Sequence, residues 1–84
     1  MPRYLVETYV PRSRARDARA AGRDVGAAAA ELVREGTPVR YVRTTYLPDD
    51  ETCFHVLEAA SEEAVAEAFR RAGIGSCRIV SAVE

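Results

Sequence analysis

Polar and apolar positions alternate from Arg3 to Tyr9, with Tyr4, Val6 and Thr8 on one side and Leu5, Glu7 and Tyr9 on the other. This period of two predicts a strand, which Pro11 closes. The period then lengthens. From about Arg14 to Arg34 the residues Ala18, Ala21, Val25, Ala28, Ala29, Leu32 and Val33 recur at three- and four-residue steps, one apolar stripe and therefore a helix. Gly36 is placed to take the left-handed conformation that ends it, and Pro38 prevents its resumption. Gly22 and Gly26 stand inside the stripe at GxxxG spacing, where each weakens the helix but lets its backbone approach a sheet closely.

Val39 to Leu47 is rich in β-branched and aromatic residues and is followed by Pro48-Asp49-Asp50, so it forms a hairpin with a third strand, Thr52–Glu58. In that third strand Phe54 and Val56 are expected to face the core, and Cys53, His55 and Leu57 the other side. Ser61 caps a second helix with Glu62 and Glu63 in its first turn; Val65, Ala68, Phe69 and Ala72 form its buried stripe and Gly73 ends it. Cys77 to Val83 supplies the last strand.

The order β-α-β-β-α-β predicts a single α+β domain over residues 1–84, with the ferredoxin-like arrangement: a four-stranded antiparallel sheet, ordered four, one, three, two, with both helices on one face. The expected core is Tyr4, Val6, Val42, Phe54, Val56, Ile79 and the helix stripes. The opposite, open face then carries Leu5, Glu7, Tyr9, Tyr41, Arg43, Thr45, His55, Leu57, Arg78 and Val80. That face is too apolar to be only washed by solvent, which predicts a homodimer formed sheet to sheet.

Composition narrows the functional classes. At 84 residues the chain buries only about 60–65% of the surface its unfolded form exposes, so a dimer would also relieve marginal stability. The net charge of −1 argues against a nucleic-acid-binding domain, and no apolar run reaches the roughly 18 residues of a membrane span. Met1-Pro2-Arg3 leads into a strand without a signal-peptide core, so the expected compartment is the cytoplasm. All 12 basic residues are arginine, read first as coding bias. Arg12, Arg14, Arg16, Arg19 and Arg23 nonetheless gather at a helix start, where cations oppose the dipole. An anion, an acidic partner or a solvated, frayed helix start would each account for them.

The candidate chemistry centres on His55, the only histidine. On the expected open face it neighbours Glu7, with Tyr41 and Arg43 near enough to form a ligand site with them. Imidazole and carboxylate make an acid/base pair or two ligands of a transition metal, and Cys53, two residues away, would add a soft donor; the bland alternative is an interfacial hydrogen-bond network. Cys53 and Cys77 lie on strands about 9–10 Å apart, beyond the roughly 7 Å a disulfide spans, and lack CxxC spacing.

Pro2-Arg3-Tyr4-Leu5-Val6-Glu7, Asp50-Glu51-Thr52-Cys53-Phe54-His55, and Ser61-Glu62-Glu63-Ala64-Val65 followed by Arg71-Ala72-Gly73 form a pattern over nearly the whole chain. It resembles the domain of unknown function family numbered 4242, small, mostly actinobacterial proteins, some described as nickel-binding. The resemblance implies a ferredoxin-like fold, a dimer and a nickel or other transition-metal cofactor, for which Glu7, Cys53 and His55 are the nominated ligands. Two functions follow. One is a small dimeric binding protein holding a metal or small ligand on the open face. The other is a dimeric α/β-barrel enzyme, an isomerase, cyclase or cofactor-free oxygenase, with His55 as acid/base.

Overall fold

The computed structural model describes residues 1–75 and 77–83. Its elements are β1 (Arg3–Tyr9), a 3₁₀ turn at Arg12–Arg14, α1 (Arg16–Arg34), β2 (Val39–Leu47), a 3₁₀ turn at Pro48–Asp50, β3 (Thr52–Ala59), α2 (Glu62–Arg71) and β4 (Arg78–Ala82). All pairings are antiparallel and the strand order is β2-β3-β1-β4. The fold is ferredoxin-like α+β, with the strand order and helix placement that the alternation implied. Of the last predicted strand, Cys77 and Val83 lie just outside β4.

The punctuation is where the sequence put it. Gly36 and Gly73 take φ of 96° and 79°, and the Thr37 and Ile74 N–H groups reach back to the Leu32 and Phe69 carbonyls, closing both helix ends. Ser61 Oγ accepts the Ala64 N–H and caps α2. The β2–β3 connection turns through Glu51, a non-glycine residue at φ 50°. Glu51 is held there because its carbonyl accepts the Val10 N–H and its carboxylate the Arg12 N–H, at 2.9 and 2.8 Å. The arginine-rich start of α1 is thus tied to the hairpin rather than frayed.

The main core joins Val6, Leu57, Ala59 and Val39 from the sheet to Val25, Ala28, Ala29 and Leu32 of α1 and Ala64, Val65, Ala68 and Phe69 of α2. Tyr4 and Ile79 pack on it, as expected. A smaller cluster of Val10, Ala18 and Cys53, with Tyr46, closes the end near the 3₁₀ turns.

Two strands face differently from the expectation. In β3, Val6 pairs with His55 and Tyr4 with Leu57, so Cys53, His55 and Leu57 face the helices and are fully buried. Phe54 and Val56 pair with Glu7 and Leu5 and face the open side instead. In β2 the register jumps between Tyr41 and Arg43. This bulge makes Val42 the extra residue and turns Tyr41 toward α1, while leaving Arg43 and Thr45 on the open face. Leu5, Glu7, Tyr9, Arg78 and Val80 lie on that face as expected.

Candidate functional site

His55 is the one buried polar side chain of the core among the described residues, and every hydrogen-bonding atom it has is used. Its Nδ1 lies 2.8 Å from Thr44 Oγ1. Its Nε2 lies 3.4 Å from Thr8 Oγ1 and 3.5 Å from Cys53 Sγ. Phe69 meets the ring edge-on at a centroid distance of 5.3 Å. Burial pushes the imidazole down to about 4 from its ordinary 6.5, because a charged ring would lose its hydration with no counterion in contact. At neutral pH the ring is therefore uncharged, one nitrogen donating and the other accepting. Burial likewise pushes the Cys53 thiol up, away from the thiolate a metal would need.

The hydrogen bonds lead outward. Thr44 Oγ1 also bonds the Tyr41 hydroxyl, and both residues line a groove of about 650 Å³ between α1 and β2. Gly22 and Gly26 supply its floor. A Cβ at Gly22 would stand 2.7 Å from both the Thr44 and the Tyr41 hydroxyl oxygens, and the Tyr41 ring lies over Gly26. The expected close approach at these glycines is therefore real, and its partner is Tyr41 on the bulged strand. Arg19 and Arg23, one turn apart on α1, stand at the groove's edge, and Ala15 and Tyr46 complete it. Among the described residues neither arginine has an ion-pair partner, whereas Arg14 pairs with Asp17.

Of the nominated residues, the structure brings His55 together with Cys53 and, through Thr44, with Tyr41. It does not bring them to Glu7 or Arg43. Glu7 lies on the opposite face of the sheet, its carboxylate 3.3 Å from Arg78, and Arg43 is exposed on that same side. The Glu7–His55 pair therefore does not form within one chain, because the β3 alternation runs opposite to the expected one. Among the described residues no group of three or more His, Cys, Asp or Glu side chains is placed to hold a metal ion. The Cys53–His55 pair supplies two buried donors where nickel coordination takes about four to six, so the nominated trio does not converge into a ligand set within one chain. Thr8, Thr44, Arg19 and Arg23 complete the arrangement. The sequence marked only the arginines, and for their opposition to the helix dipole.

No curated protein and no solved structure matches the chain. Residues 4–81 match the family model described as nickel responsive protein SCO4226-like. A match over nearly the full length, on a chain with the ferredoxin-like fold already derived, places this protein in the SCO4226-like nickel-responsive protein family.

Proposed function

We propose that the chain is a small binding protein of a nickel response that works as a homodimer joined through its open sheet face. The observation that carries this reading is the apolar row Val80–Leu5–Val56, laid across β4, β1 and β3 by their register, in which Leu5 and Val80 are half-buried and Val56 already covered, with half-buried Phe54 beside it and Tyr9 70% exposed at one end. Charged pairs border the row: Arg3 and Arg40 on Glu58, and Arg78 on Glu7. An apolar centre with a charged rim is the composition of a protein interface, and a second copy of so small a domain gains most from covering it.

Nickel carried by such a dimer takes its donors from outside the buried Cys53–His55 pair, from surface carboxylates of the chain or of its partner copy. An acid/base role for His55 on the open face has no support, since the ring is buried on the other side with both nitrogens engaged. Sedimentation equilibrium tests the reading. The wild type is expected to be dimeric and Leu5→Glu/Val80→Glu monomeric, with the circular dichroism of both unchanged. A wild type that stays monomeric at high concentration would refute it. Calorimetric titration with nickel is expected to give the same affinity for Cys53→Ser as for wild type; a lost affinity would return the interior pair to the ligand set.

A further inference from the structure

The groove between α1 and β2 belongs to the helix-covered side of the molecule and plays no part in the dimer reading above. Its wall is mixed in a particular way. Its lining includes two arginines one turn apart on α1, Arg19 and Arg23, with no carboxylate partner among the described residues. The floor is glycine and the Tyr41 ring, flat and apolar, and its polar atoms are the Tyr41 and Thr44 hydroxyls. The volume of about 650 Å³ lies within the range of small-molecule sites. Two cations one helical turn apart recognise a carboxylate, and a flat floor between glycines accepts a ring lying against it.

We propose that this groove binds a small aromatic carboxylate, with Arg19 and Arg23 holding the carboxylate and the ring lying on the Gly22–Gly26–Tyr41 floor. The hydroxyl chain adds a consequence. If His55 Nδ1 carries the proton, it donates to Thr44, Thr44 donates to Tyr41, and the Tyr41 O–H is free to donate into the groove. With the proton on Nε2 the chain runs the other way, and Tyr41 turns a lone pair outward. An anion in the groove selects the first arrangement, so binding at the surface sets the tautomer of a ring that no ligand touches.

The only histidine of the chain makes this readable. Benzoate titrated into ¹⁵N-labelled full-length protein is expected to shift the Arg19, Arg23 and Tyr41 resonances saturably and to move the His55 ring nitrogens toward the Nδ1–H form. Arg19→Gln/Arg23→Gln, both changes on the surface, is expected to weaken binding roughly tenfold or more, the loss of a charge-assisted hydrogen bond. Tyr41→Phe keeps the floor and is expected to abolish the His55 response while leaving arginine-dependent binding. The proposal is overturned if benzoate gives no saturable shift, if benzamide or inorganic phosphate binds as tightly, if the arginine variant retains full affinity, or if His55 does not respond. None of these outcomes depends on whether the protein dimerises.

Discussion

On the helix-covered face of the sheet, Val6, Cys53, His55 and Leu57 have no exposed surface, and the one polar side chain among them has a partner for each ring nitrogen. On the open face Leu5, Phe54 and Val80 remain partly exposed, and Glu7 and Glu58 lie in arginine ion pairs. The same strands supply both. One face is fixed by burial, where each atom's loss is felt in full, and the other by pairs that water and salt weaken. The sharpest way to break this contrast is a matched truncation. Leu57→Ala is expected to cost about 2–5 kcal/mol in urea unfolding, since the buried site cannot collapse around the missing atoms. Leu5→Ala, measured where the protein is monomeric, is expected to cost about 1 kcal/mol or less. Equal losses would mean that the two faces are not distinct.

Acid should separate the faces as well. His55 titrates near 4 in the fold and near 6.5 when unfolded, so between these values the unfolded chain binds more protons and stability falls as pH drops. The contribution is complete above the unfolded value and lost by about pH 4, a span worth about 3 kcal/mol. Glu58 on the open face behaves otherwise: the hydrogen bonds from Arg3 and Arg40 hold its carboxyl below the usual range, so its contribution persists to lower pH and fades only as the pH falls through that depressed value. It should also weaken with added salt, as the His55 slope should not. Denaturation midpoints across this range, with His55→Gln as the variant whose slope flattens, check the assignment. A wild-type slope absent between pH 6.5 and 4 would place His55 in water.

Element order, caps, strand order and the helix stripes, apart from Val33, which is exposed, were legible because each rests on a local signal: a period, a Ser61 cap, a Gly36 or Gly73 stop. The facing of β3 was not, because both of its sides are largely apolar. Cys53-His55-Leu57 contains a polar residue and Phe54-Val56 does not, which pointed the wrong way. The deciding residue was Glu58, on the side of Phe54 and Val56: a carboxylate cannot be buried unpaired, whereas a histidine can be buried neutral. The β2 bulge was illegible for another reason, since nothing in Tyr41-Val42-Arg43 marks an extra residue. That bulge turned Tyr41 away from Arg43, while the facing of β3 carried His55, so the two meet on the helix-covered side of the sheet.

Where α1 crosses β2 the covered face is not sealed, and its two glycines differ. Gly22→Ala would place a methyl 2.7 Å from the Thr44 and Tyr41 hydroxyl oxygens, both held by the bond to each other and, through Thr44, to His55. Relief requires moving the helix or breaking the chain of hydroxyls, so a loss of about 1–3 kcal/mol is expected, together with a changed His55 ring-nitrogen signal.

Gly26→Ala is the smallest effect and has the opposite sign. Its methyl would meet the Tyr41 ring no closer than 3.5 Å, an ordinary contact, and the helical backbone there asks for nothing that alanine lacks. Alanine is favoured over glycine in a helix interior by about 1 kcal/mol, so thermal unfolding should shift upward by the equivalent of about 0.5–1 kcal/mol. The added methyl also lies on the groove floor, so the same variant should weaken benzoate binding while stabilising the fold. Stabilisation with affinity unchanged would leave Gly26 to the packing of α1 alone and take the ring's resting place away from it.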